Sequence, residues 1–326
     1  MNKTGFLPAK VIHLHPTNLC NLNCLHCYSS SSPKKKDEVK IEFINEILKN
    51  LQEDGYEILS ISGGEPLVYP KINELINFSK KIGLKVNLIT NGMLLNRVID
   101  ISSKVSMFAI SIDGSEENHD VMRNKTGAFI KLEENIRILS SLKISFGLAF
   151  CVTKKNIKDL MYVYDFATKY NAKLLQLHPL ASIGRGEEVN ESALSPKELE
   201  RLYLTAKLLE EASLEGGVKV QIDLLPKNSI PHSRLTHNQL SSSDPISHQI
   251  NPIVITENGK IIPFAYGVSD KFKLGNIEQP WKDIENNYRE NNFYKIKSLV
   301  QDNFDQCQKS EEKIHDWYQS LVKCSV

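Results

Sequence analysis

The 326-residue chain has no run of about 18 apolar residues, so no segment reads as a membrane-spanning helix. Met1 to Lys10 lacks the apolar core of a secretory signal. Neither sign of charge prevails: 40 Lys+Arg stand against 39 Asp+Glu, a formal net charge of +1. Without a basic field there is no electrostatic case for nucleic acid or a membrane surface as partner. The short run Lys34–Lys36 follows Ser-Ser-Pro and reads as a solvated loop. Cysteine is scarce, six in all, and without a secretion signal a disulfide framework is a poor account of them. These absences imply a soluble, cytoplasmic protein. The cysteines that are present are unevenly placed: Cys20, Cys24 and Cys27 lie within eight residues, whereas Cys151, Cys307 and Cys324 are scattered. Clustered thiols in an unsecreted chain point to a metal.

Strand-like and helix-like segments alternate. Val11–His15, Glu57–Ser62, Lys85–Thr90, Val105–Ile112, Ile144–Val152 and Leu174–His178 read as strands. Between them Ile41, Ile44, Leu48 and Leu51 share one helical face, as do Phe129, Leu132, Ile136 and Leu139. Ser195-Pro196-Lys197-Glu198 places an N-cap serine, a proline at the first helical position and a glutamate at the third, and so opens a long helix. Six strand–helix units in succession predict an α/β fold, a partial (β/α)6 TIM-type barrel over residues 1–225. A small α+β C-terminal appendage over 226–326 follows, with a hairpin at Ile253–Phe264 turning on Asn258-Gly259. Pro226 to Gln249, rich in Ser, Pro and His, reads as a linker or a substrate-facing loop.

In such barrels function sits at the C-terminal ends of the strands. Those ends carry the cysteine loop, Gly63-Gly64-Glu65-Pro66, Asn91-Gly92, Asp113-Gly114, Thr153 with Asn156, and His178. Cys20-x3-Cys24-x2-Cys27 supplies three thiolates after the first strand, and thiolates hold iron–sulfur clusters. Three ligands leave the fourth iron of a cubane open to a chelating small molecule, and S-adenosylmethionine offers an amino and a carboxylate group for that. From spacing alone a structural zinc site, with His26 or a distant fourth ligand, stays open.

The cysteine loop, Ser62-Gly63-Gly64-Glu65-Pro66, Ser111-Ile112-Asp113-Gly114 and the stretch His119-Asp120-Val121-Met122-Arg123 with Gly127-Ala128-Phe129 together resemble the radical S-adenosylmethionine superfamily over roughly residues 10 to 225. The resemblance implies one [4Fe-4S] cluster on Cys20, Cys24 and Cys27, and S-adenosylmethionine as cofactor. His26 takes the aromatic-type position before the last cysteine, and Tyr28 follows it. Gly63, Gly64 and Glu65 are implied to receive the methionine amino group, Arg123 its carboxylate, and Ser111 and Asp113 the ribose and methionyl end. Asn91, Asn156 and Leu177 are the implied remaining contacts to ribose or adenine. An external electron donor such as flavodoxin or ferredoxin is implied as well.

Ile255–Lys260, Pro263-Phe264, Leu274-Gly275-Asn276-Ile277 and Trp281 resemble a worn SPASM or twitch appendage, with Phe264 in place of a cysteine. Cys307 and Cys324 are too few for an auxiliary cluster, even with Cys151 in reach. The appendage is therefore expected to be a scaffold that covers the barrel mouth. Maturation of a ribosomally made peptide, chemistry on a small molecule or cofactor precursor, and a non-catalytic metal-binding role are the functions considered. No residue is singled out as acting on substrate. His13, His15 and Cys151 read as packed strand residues, though both histidines are placed to face the barrel interior. His178 reads as a strand end or as an imidazole near substrate.

Overall fold

The computed structural model describes residues 9–213, 216–232 and 241–326. The start of the N-terminal segment and residues 233–240 of the Ser- and His-rich stretch lie outside the described residues. In chain order the first half runs β1 (Val11–Leu14), α1 (Ile41–Glu53), β2 (Ile58–Ile61), α2 (Ile72–Lys81), β3 (Lys85–Thr90), β4 (Met107–Ile112), α3 (Glu116–Arg123) and α4 (Ala128–Ser141). It continues with β5 (Phe146–Val152), α5 (Leu160–Lys169), β6 (Leu174–Pro179), α6 (Pro196–Ala212) and β7 (Lys219–Ile222). The C-terminal part comprises β8 (Leu225–Pro226), α7 (Ile246–Gln249), β9 (Ile253–Ile255), β10 (Lys260–Pro263), β11 (Gly275–Asn276), α8 (Trp281–Asn287), α9 (Phe293–Lys309), β12 (Ile314–His315) and α10 (Trp317–Ser325).

β1 to β7 pair in sequence order, each neighbour parallel, as the alternation of strand and helix predicts. Two features exceed the expectation. A seventh parallel strand, β7, follows Gly216-Gly217, where its four residues are too short a signal beside the long helix before it. The appendage is also not a separate cap: β9 pairs parallel with β1, and β10 and β11 extend the same ten-stranded sheet. The segment after β3 is helical as expected, but as a 3₁₀ turn over Leu95–Lys104.

Side chains alternate across this sheet. Leu14, Ile61, Leu88, Ile110, Phe150, Leu177 and Val220 are no more than 1% exposed and pack outward into one core with the helices. Ile41, Ile44, Leu48 and Leu51 of α1 join that core from the face their spacing predicts. The Ser195–Glu198 cap forms, with Ser195 N donating to Glu198 Oε2 at 2.7 Å. The inner face carries small and polar residues, among them Ser60, Asn87, Ala109, Ser111, Ala149 and Gln176. Flat, β1 and β6 would stand five strand spacings apart, about 24 Å. Yet Arg185, in the loop after β6, donates to Cys24 O, in the loop after β1, at 2.8 Å. The sheet is therefore curled into a partial barrel, with the polar face inside.

Candidate functional site

The cysteine loop continues β1 and lies across the end of β2. Gly64 N donates to Thr17 O at 2.8 Å and Glu65 N to Leu19 O at 3.0 Å. A Cβ on Gly64 would stand 2.1 Å from Leu19 O, and one on Gly63, at φ +106°, 2.6 Å from Thr17 O. These glycines therefore admit the cysteine loop itself. A clamp that sequence reasoning missed closes from the far side of the barrel. Arg185 Nε donates to Cys24 O at 2.8 Å, Nη2 to Ser31 O at 2.8 Å, and its backbone N to Cys27 O at 3.0 Å. Gly184 precedes it at φ +58°, and a Cβ there would stand 2.3 Å from Tyr28 O. The only signal in the sequence is Gly184-Arg185-Gly186 shortly after a strand end.

The thiols of Cys20 and Cys24 are 8% and 7% exposed, and Cys27 is half-buried. N–H groups point at two of the sulfurs: Leu22 N and Asn91 Nδ2 at Cys20 Sγ at 3.4 and 4.0 Å, and Arg123 Nη1 at Cys24 Sγ at 3.8 Å. Burial pushes the bare Cys20 thiol up to about 12, with Glu65, Cys24 and Cys27 adding to the rise. Burial raises Cys24 too, against the pull of Arg123. Thiolates in this setting need a cation, and N–H donors to sulfur are what an iron–sulfur cluster uses. Among the described residues no three His, Cys, Asp or Glu side chains converge on one point, as a mononuclear ion requires. Thiols that each hold a different iron of a cubane do not need to converge.

Beside the sulfurs lies a buried charge cluster. Asp113 Oδ2 faces Arg123 Nε at 2.6 Å, and Asp113 Oδ1 lies 3.1 Å from His26 Nε2. Asp113 N donates to His119 Nδ1 at 3.1 Å, so that nitrogen carries no proton. Burial alone would raise Asp113; Arg123 and His26 instead hold its carboxyl well below the usual carboxylate range. His119 is pushed down to about 4 by burial and by Arg123.

Other expected contacts are engaged within the protein. Glu65 is fully buried and accepts from Leu67 N at 3.1 Å, Thr90 Oγ1 at 2.8 Å and Asn91 N at 2.9 Å, which binds the end of β2 to the end of β3. Asn91 Nδ2 donates to Asn21 Oδ1 at 2.7 Å. Asn156 is also fully buried, its Oδ1 accepting from Thr153 N and Oγ1 and its Nδ2 donating to Asp113 O and Cys151 O at 3.0 and 2.9 Å. It braces the ends of β4 and β5, and no polar atom of it is left for a ligand. Leu177 points outward into the helix-packed core at 0% exposure; at its level Gln176 and His178 face inward. Ser111 lies on the inner face of β4.

Tyr28 belongs to a box that joins the barrel to the hairpin. His15 stacks on Tyr266 at 4.9 Å between centroids, Tyr28 meets Tyr266 edge-on at 5.2 Å, and Tyr266 OH donates to Glu257 Oε1 at 3.0 Å. Phe264, where the resemblance expects a cysteine, is 6% exposed and fills the core. Cys307 is buried beside Ser320, Cys324 lies near Gln306, and Cys151 is on the inner face of β5.

The Radical SAM superfamily model matches residues 14–167. The AdoMet-dependent heme synthase of Methanosarcina barkeri is 28% identical over 285 residues, 82% of this chain and 79% of that one. The antilisterial bacteriocin subtilosin biosynthesis protein AlbA of Bacillus subtilis is 31% identical over 181 residues, 53% of this chain and 40% of AlbA. This chain thus aligns to less than half of AlbA's length. The crystal structure of Streptococcus suis SuiB bound to precursor peptide SuiA superposes with a TM-score of 0.70 at 16% identity, covering 89% of this chain and 67% of SuiB. That last likeness bears on the fold alone, and it agrees with the partial barrel. No helix among the described residues is long and apolar enough to cross a membrane.

Proposed function

Because this chain belongs to the radical SAM superfamily and is an enzyme, we propose that it carries a [4Fe-4S] cluster on Cys20, Cys24 and Cys27 and abstracts hydrogen from a ribosomally synthesised peptide. The observation that supports the cluster is the pair of buried thiols of Cys20 and Cys24, with N–H groups of Leu22 and Asn91 aimed at the first and Arg123 at the second. Bound there, the cluster and S-adenosylmethionine supply a 5′-deoxyadenosyl radical. The chain's own residues hold and orient. Arg185 and the two glycines of the β2 end fix the loop that carries the thiols. Arg123 and Asp113 present a fixed cation and a fixed anion beside Cys24, suited to the cofactor's carboxylate and to its ribose hydroxyls or amino group. His26, Tyr28, Asn91 and Ser111 border that end of the chamber. Gly63, Gly64 and Glu65 act through the backbone they hold in place. Asn156 and Leu177 are left out, because one is saturated and the other faces the helices. A flavodoxin- or ferredoxin-type protein is the proposed electron donor.

Peptide modification is supported by relatives such as AlbA. A second reading, chemistry on a tetrapyrrole, is favoured by the alignment with the heme synthase across most of both chains. The test is anaerobic turnover of the reconstituted protein with two substrate sets: short peptides encoded near its gene, and iron-coproporphyrin III. Deuterium transfer from labelled substrate into 5′-deoxyadenosine, with a matching mass change, identifies the class. Transfer from the porphyrin alone rejects the peptide reading, and no 5′-deoxyadenosine under any condition rejects both.

A further inference from the structure

A second polar cluster lies on the inner wall, apart from the cysteine loop. Asp223 prolongs β7, its N donating to Leu177 O at 3.2 Å, and so stands beside β6. Its carboxylate holds two inward side chains of that strand, Gln176 through Nε2 and His178 through Nδ1. His178 Nε2 has no partner among the described residues, yet it is not among the walled-off polar atoms. The His178 side chain is 41% accessible and alternates with the outward Leu177, so its open face is on the inner side of the sheet. In the parallel register His178 pairs with Cys151 on β5, and Asp113 follows the next pairing, Ile112 with Phe150. At strand spacing this sets His178 at the level of Asp113, about 10 Å round the wall.

Further titratable groups of this cluster come from β1 and from the start of α10. His13 looks across from β1, pushed down to about 4 by burial and by His178 itself. Asp316 and Tyr318, at the start of α10, reach in from the C-terminal part; burial pushes Asp316 up to about 6 and Tyr318 up to about 12, with Asp223 adding to both. Burial works to lower His178, and the carboxylates of Asp223 and Asp316 outweigh it and raise it. A neutral His13 and a carboxylate-backed His178 thus share one chamber.

We propose that His178 is the proton-transfer residue of the substrate chamber, acting on a substrate that bears an ionisable hydroxyl, thiol or amide N–H close to the carbon attacked. Asp223 keeps the proton on Nδ1 and leaves the Nε2 lone pair facing the chamber. In the step, the substrate's X–H bond breaks, its proton goes to Nε2, X keeps the electron pair, and Asp223 balances the imidazolium charge. Asp223 and Gln176 are positioning residues, and Asp316 completes the site from α10. The inference rests on the reading of the Asp113–Arg123 end as the cofactor side.

The test uses the full-length, anaerobically reconstituted protein labelled with 15N-histidine, with His178→Gln to assign the resonance. His178 is expected as the Nδ1–H tautomer at high pH, with a titration midpoint above 6.5 that drops by about one unit or more in Asp223→Asn. Diethyl pyrocarbonate, mapped by mass spectrometry, should acylate His178 while sparing His13. A midpoint unmoved by Asp223→Asn, or a His178 that resists the reagent, overturns the proposal. On whichever substrate set reacts, His178→Gln should lower product formation by about 10²–10⁴-fold and remove its ascending pH limb. An unaltered pH profile overturns the acid–base role, whereas loss of 5′-deoxyadenosine from the wild-type protein would count against the cofactor reading and leave the His178–Asp223 result standing.

Discussion

Arg185 should control how often the cysteine loop opens. Its guanidinium makes two charge-assisted bonds to loop carbonyls, to Cys24 O and Ser31 O, both at 2.8 Å. Arg185 is half-buried, so the low end of the range for such bonds applies, about 1.5 kcal/mol each and about 3 kcal/mol together. Its third contact, from backbone N to Cys27 O, survives any side-chain change. Since about 1.4 kcal/mol is a factor of ten, Arg185→Ala should make the open loop about a hundred times more populated. Arg185→Lys, keeping one bond, should give about ten times. The readout is alkylation of cluster-free protein followed by mass spectrometry, because Cys20 and Cys24, at 8% and 7% exposure, react only when the loop opens. Cys307, 2% exposed in the C-terminal part, is the internal control and should keep its wild-type rate. Wild-type labelling of Cys20 and Cys24 in Arg185→Ala would refute the clamp. Equal acceleration at Cys307 would show general destabilisation instead.

The remaining predictions concern the cluster, the strand ends, pH and the appendage. Reconstituted protein should carry about four irons per chain, and Cys20→Ala/Cys24→Ala/Cys27→Ala essentially none by iron assay, since the other thiols are separated. Glu65→Ala strips the acceptor from Leu67 N, Thr90 Oγ1 and Asn91 N, so chemical denaturation should show a loss of about 3 kcal/mol or more even without cofactor. Asp316 has a raised folded-state value near 6, so its contribution is present below the ordinary carboxylate value of 3.8 and is lost as pH rises through about 6. Asp316→Asn keeps an N-cap oxygen for Gln319 N and should be more stable than wild type by on the order of 2 kcal/mol at pH 8, the gain vanishing by about pH 4 in denaturation curves. Ending the chain at Leu225 strips β9 from β1 and removes the bond from His15 N to Ile255 O, so the truncated chain should fail to give soluble, cluster-binding protein; a folded truncation that retains iron would show that the barrel stands alone.

Local chemistry in this protein is written along the chain, and distant pairing is not. Cys20, Cys24 and Cys27 are within eight residues of each other, so their spacing announces a thiolate site before any fold is known. Hydrophobic period and the Ser195–Glu198 cap likewise place most strands and helices, because each depends on neighbours a few residues away. The curled sheet settled the rest. It turned Leu177 outward and His178 inward, a distinction a one-residue change of phase would reverse. It showed that Asn156 and Glu65 brace strand ends, since a side chain's partners depend on which backbone arrives beside it. It joined the appendage to β1 and brought Arg185 across to the cysteine loop, contacts separated by about 160 residues or more. Asp223, His178, His13 and Asp316 share no sequence neighbourhood and meet only because closing the barrel carries β7 and α10 round to β1. Spacing records what one loop can ligate, whereas only closure of the sheet decides which loops face one another.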